Sequence, residues 1–163
     1  MRIAYLLIAV LIFSCSPSKK ENEKEIGAKA EVKTIPSITL TLISGDSLNT
    51  NTLKGKNILF FYSPDCDHCQ REAKDISDHF DSFKDYSLYF ICSPRPTGMI
   101  TAFRKEYKLE GKRNIFFAQA EIPEVVREMG SIGTPCLFIY SEEGLLVKRV
   151  ENETSAEEII KFL

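Results

Sequence analysis

Two cysteines three positions apart, Cys66 and Cys69, enclose Asp67 and His68 and follow Phe60-Phe61-Tyr62-Ser63-Pro64-Asp65. An apolar run, a Ser-Pro-Asp turn and then a charged segment opening with Gln70-Arg71-Glu72 read as strand, turn and helix. That order puts Cys66 at a helix start, where free backbone N–H groups and the helix dipole favour a thiolate. Cys69 lies one turn later, within disulfide reach. The chemistry is that of a redox dithiol. Cys66, nearer the helix start, attacks a disulfide, and Cys69 resolves the mixed disulfide. The surrounding charges oppose one another: a protonated His68 favours the Cys66 thiolate, while Asp65 and Asp67 disfavour it. The direction of electron flow stays open on these residues alone.

Taken alone, the motif also suits a structural disulfide or half of a metal site. Zinc needs two further ligands. The chain has two histidines, His68 and His79, and its remaining cysteines are Cys15, Cys92 and Cys136. Cys92 and Cys136 belong to sheet-forming segments, so no metal is expected. They read as buried free thiols; a relay role for Cys136 is the alternative. His79 reads as a surface residue. Arg95, between Pro94 and Pro96, either lines a partner groove or is a solvated loop charge.

The elements that must hold the pair can be read in order. Ile38, Leu40 and Leu42 alternate within 32–43, which predicts a strand with one buried face. Gly45-Asp46 marks a turn. Ile58 to Tyr62 is continuously apolar, as suits a central strand covered on both sides. Ala73, Ile76, Phe80 and Phe83 recur at helical spacing, predicting an amphipathic helix over 66–83. Ser87–Cys92 is the next strand, parallel to the central one because a helix separates them. A helix follows around Ile100, Phe103 and Tyr107. Ile115–Ala118 is a short strand or an apolar loop, and Ile122–Met129 a helix with Pro123 in its first turn. Thr134-Pro135 precedes a strand, Glu142-Glu143-Gly144 turns it into a hairpin, and Ser155 caps a last helix.

The chain of 163 residues is 44% hydrophobic, enough for one domain with a real core. A net charge of -2 without a basic patch argues against nucleic-acid binding. At the N-terminus Met1-Arg2 precedes an apolar run from Ile3 to Phe13, which fits an export signal over residues 1–14. Leu11-Ile12-Phe13-Ser14-Cys15 resembles a bacterial lipobox, which makes Cys15 the lipidated first residue of the mature chain. Residues 15–31 are polar and read as a disordered tether. The folded domain then spans 32–163, held to a bilayer in the cell envelope and facing the periplasm or the exterior.

From about Ile35 to the C-terminus the order of elements resembles the thioredoxin fold. In detail it is similar to the membrane-anchored TlpA/ResA branch of extracytoplasmic thiol-disulfide oxidoreductases. Gly55 to Tyr62, the Cys66-Asp67-His68-Cys69 motif and Gly133-Thr134-Pro135 carry the likeness. It implies an α/β fold, a central mixed sheet flanked by helices with an N-terminal strand extension. It makes Thr134-Pro135 a cis-proline loop facing the dithiol and Glu72 the acid that follows the motif. It implies partners that are protein thiols or disulfides and a membrane or periplasmic electron donor, a monomer, no cofactor, and a lean toward a reducing role, cytochrome c maturation or envelope thiol homeostasis among them. The chain departs from the pattern at Asp65, where Trp is common, at Phe60, where most thioredoxins bury an acid, and at Lys74, where a helix-kinking Pro is common.

Two other functions compete. A thiol peroxidase of the same fold usually has Thr three residues before the attacking cysteine and Pro earlier; Ser63 and Phe60 stand there instead. A non-catalytic envelope interaction lipoprotein would tolerate loss of a motif cysteine, yet both are present.

Overall fold

A computed structural model describes residues 34–163. The signal segment, the Cys15 lipidation site, the tether and the first two residues assigned to the domain lie outside the described residues.

Seven strands form one sheet: β1 (Thr39–Leu42), β2 (Ser47–Asn49), β3 (Asn57–Phe61), β4 (Ser87–Cys92), β5 (Ile115–Gln119), β6 (Cys136–Tyr140) and β7 (Leu146–Glu151). Their order is β2-β1-β5-β4-β3-β6-β7. β3 runs parallel to β4, and β4 to β5, whereas β1 is antiparallel to β5 and β6 to β3. The helices are α1 (Asp67–Asp78), α2 (Thr97–Glu106), α3 (Ile122–Met129) and α4 (Ala156–Ile160). This is the mixed, helix-flanked sheet that the sequence implies.

β3 is central because every residue in it can be buried. Ile58 and Phe60 join the core on the α1, α2 and α4 side, while Leu59 and Phe61 join the one beneath α3. On the first face Phe60 meets Phe90 edge-on at 4.9 Å, and Phe90 stacks on Phe117 at 5.0 Å. Aromatic pairs of this geometry add about 0.5–1.5 kcal/mol beyond the area they bury. α1 docks through Cys69, Ala73 and Ile76, as its apolar spacing requires. The Ser155 side chain accepts the Glu158 N–H at 3.3 Å and so caps α4. Gly144 takes φ +76° in the β6–β7 turn, a backbone that side chains disfavour.

The structure differs from the sequence reading in two places. The first strand is confined to 39–42, and Ser47–Asn49 pairs back on it as a hairpin. The motif helix stops at Asp78, because His79 turns to φ -104°, ψ 22° and residues 80–83 continue as a tighter 3-10 turn. His79 is thus a half-buried helix terminus, with Nδ1 3.1 Å from the Asp75 carboxylate rather than free on the surface. Of the two readings of 115–118 the strand holds: Ile115–Gln119 pairs with β4 and β1.

Candidate active site

β3 delivers the chain to Tyr62, whose N–H still bonds Ile91 in β4 at 3.0 Å. There the sheet ends and a turn begins: the Cys66 N–H bonds the Ser63 carbonyl at 3.1 Å, and Gln70 Nε2 bonds the Pro64 carbonyl at 2.9 Å. Cys66 is then the N-cap of α1, with extended backbone at φ -96°, ψ 115°. Its sulfur accepts the Cys69 N–H at 3.4 Å, the place a capping Ser or Asp oxygen usually fills. A helix start presents free N–H donors, and a sulfur anion is well matched to them.

The two thiols differ in surroundings. Cys66 is half-buried and Cys69 fully buried. Burial pushes the Cys69 thiol up to about 12, and its hydrogen bond with Cys66 adds to the rise. A protonated inner thiol cannot compete for substrate but can be released once Cys66 is bonded elsewhere. The pair is therefore asymmetric in burial and in acidity.

Across from the thiols the Thr134–Pro135 peptide is cis. The Cys66 thiol lies 3.9 Å from the Thr134 carbonyl oxygen, and Thr134 is exposed while Pro135 is buried. Ser63 donates a short hydrogen bond to Asp65, which holds that carboxyl below its usual range, with the Arg95 charge a smaller contributor. Arg95 Nη2 in turn lies 3.4 Å from Ser63 Oγ. Arg95 helps to line a groove of about 240 Å³, with Ser63, Thr134, Ile132, Ile122 and Val126. Ile122 and Val126 stay 59% and 46% exposed, an apolar rim on this side of the pair.

Phe60 occupies the position of the thioredoxin acid and is fully buried among aromatic rings. The buried acid of this site is instead Glu72, 2% exposed on α1. Burial first, then the charges of Glu153 and Asp75, lift its carboxyl to about 8, against a backbone N–H from Thr154 at 3.4 Å that opposes the rise. Asp67 and His68, inside the pair, are both exposed. His68 Nδ1 lies 2.6 Å from Glu153 Oε2, and Arg71 bonds the same carboxylate through Nε and Nη2 at 2.7 and 2.6 Å. The hydrogen bonds from Arg71 first, and then His68, hold the Glu153 carboxyl down at about 2. Arg71 and Glu153 are the residues that sequence reasoning missed. Arg71 had one signal, its position one turn from His68; Glu153, 85 positions from His68, had none.

Cys92 and Cys136 are both buried and unbonded, at the ends of β4 and β6 on either side of β3. Cys92 packs on the α1 face and Cys136 on the α3 face. Burial pushes each thiol up to about 11. Among the described residues no group of three or more His, Cys, Asp or Glu is placed to hold a metal ion.

The fold is similar to several solved structures. A secreted disulfide oxidoreductase of Mycobacterium tuberculosis homologous to Escherichia coli DsbE superposes with TM-score 0.64 at 20% identity, over 77% of this chain and 93% of that one. A putative protein disulfide isomerase from Bacteroides thetaiotaomicron gives 0.65 at 20% identity, over 79% and 84%. StoA from Bacillus subtilis gives 0.61 at 18% identity, over 80% and 98%. No curated protein sequence matches the chain. The sequence profile of the thioredoxin-like domain matches residues 44–163, and the chain belongs to that family.

Proposed function

We propose that the protein is a thiol-disulfide oxidoreductase of the TlpA/ResA-like extracytoplasmic kind, reducing disulfides in exported proteins. The observation that carries this reading is the unequal pair: Cys66 at the α1 N-cap and partly open to solvent, Cys69 buried and protonated one turn behind. The Cys66 thiolate attacks one sulfur of a substrate disulfide; a Cys66–substrate bond forms and the other substrate sulfur leaves as a thiolate. Cys69 then gives up its proton and attacks the Cys66 sulfur. The second substrate sulfur leaves and takes up a proton, and two electrons have passed to the substrate. A reduced dithiol on a membrane or periplasmic donor restores the pair.

Pro135 and Thr134 border the site where the substrate chain lies, with Asp67 and His68 setting the charge between the thiols. Glu72, one turn beyond Cys69 on α1, is lifted to about 8 and so can take up or release a proton at neutral to mildly alkaline pH. The apolar rim of Ile122 and Val126 offers a surface for residues flanking the substrate cysteine. Cell-envelope placement rests on the export signal over 1–14, lipidation at Cys15 and the tether to residue 31. The secreted neighbour from M. tuberculosis agrees with it.

The test is the equilibrium reduction potential of the Cys66–Cys69 pair against a glutathione or dithiothreitol series. A value near that of thioredoxin, about -270 mV, supports a reductant; one near about -120 mV makes the protein an oxidant. The absence of a reversible two-electron transition would sink the redox reading.

A further inference from the structure

His68 and Arg71 sit one turn apart on α1, and the β7–α4 loop brings a single carboxylate against both. Glu153 meets Arg71 in a two-bond fork and His68 at 2.6 Å. The same loop is fastened to α1 twice more without using Glu153. Thr154 donates its N–H to Glu72, and Ala156 donates its N–H to Asp75 Oδ2 at 2.6 Å. The loop is therefore held in place by backbone bonds, and the Glu153 side chain is left as a charge on the motif's first turns.

That charge lies where it counts. Arg71 Nη2 lies 2.9 Å from His68 Nδ1, and both side chains stand on the first turns of the helix that Cys66 caps. A cation on the first turns of a helix favours a thiolate at its N-cap, and stabilising a thiolate stabilises a reduced dithiol, which makes a pair more oxidising. The fixed charges around Cys66 are Asp65 and Asp67 on one side, Arg95 beyond Ser63, and Arg71 on α1, with His68 adding a second cation when protonated. Glu153 cancels one positive charge in this set.

We propose that Glu153 is a positioning residue that keeps the Cys66–Cys69 pair reducing, by neutralising Arg71, and His68 when protonated, on the first turns of the helix that Cys66 caps. The inference rests on the redox function proposed above and gives it a direction. It also explains how a histidine inside the motif is compatible with a reductant.

The experiment compares glutathione exchange equilibria of the full-length wild type, E153Q, R71Q and the double variant E153Q/R71Q. E153Q is expected to shift the equilibrium toward the reduced dithiol by about three- to tenfold, or about 15–30 mV for a two-electron couple. R71Q moves it the opposite way, and the double variant returns to within about twofold of wild type. Because the ion pair is exposed, the E153Q shift shrinks at 1 M salt, where the Debye length is about 3 Å. An E153Q equilibrium equal to wild type overturns the inference, as do single variants that shift in the same direction, which is the mark of a merely structural clasp. A wild type with no reversible transition overturns the redox function along with it.

Discussion

The backbone N–H of Thr154 points at the buried Glu72 carboxylate from 3.4 Å, and it is the hydrogen-bond partner that carboxylate has among the described residues. One long bond does not offset the loss of water, so Glu72 holds its proton to about pH 8. An ordinary unfolded-state carboxyl titrates near 4.5. Between these values the folded chain binds a proton that the unfolded chain has lost, so the Glu72 contribution to stability falls as pH rises. Glu72→Gln removes the titration and keeps an acceptor for Thr154. Urea unfolding at pH 4 is expected to give equal stability for both proteins. At pH 9 the variant is expected to be more stable by roughly 2–4 kcal/mol.

Cys69→Ser removes the group that breaks the intermediate. Incubated with a disulfide-bonded protein substrate, this variant is expected to accumulate a Cys66-linked adduct on a non-reducing gel, where the wild type shows little. Cys66→Ser is expected to form no adduct. Adduct formation through Cys69 instead would reverse the assigned roles.

Val126 is exposed at the groove rim and bears little of the core. Val126→Glu is expected to leave stability within about 0.5 kcal/mol. It should lower kcat/KM for protein disulfides several-fold while leaving oxidised glutathione turnover nearly unchanged. Parallel steady-state assays on the two substrates separate a docking surface from a passive one.

Phe60 is buried against Phe90 and Tyr62 at the centre of the sheet. Phe60→Ala is expected to cost about 3–5 kcal/mol, read as a lowered denaturation midpoint with an unchanged slope.

Much of this arrangement is legible in the residues because the signals are local. The apolar run at 58–62, the motif at a strand-to-helix junction and the Pro123 helix start each depend on neighbours in sequence, and α3 begins and ends as expected. Ser47–Asn49 escaped notice because three residues pairing across a tight turn carry too little periodicity to separate strand from loop. The end of α1 was overrun for a different reason: Phe80 and Phe83 keep the apolar stripe going while the backbone tightens after His79. Glu153 illustrates the deeper limit. A surface carboxylate becomes part of the site when β7 and α4 fold it against α1, and no spacing rule connects positions so far apart.

Placing Cys92 and Cys136 on opposite faces of the sheet amounts to insulation. Cys136 is buried in the core beneath α3, and Cys92 is buried in the core that holds the Tyr62 and Phe90 rings. In a compartment that oxidises exposed thiols, a domain whose two spare thiols are buried offers an oxidant, among the described residues, only the partly open Cys66. Thiols kept from solvent in this way are poorly placed to form mixed disulfides with a substrate.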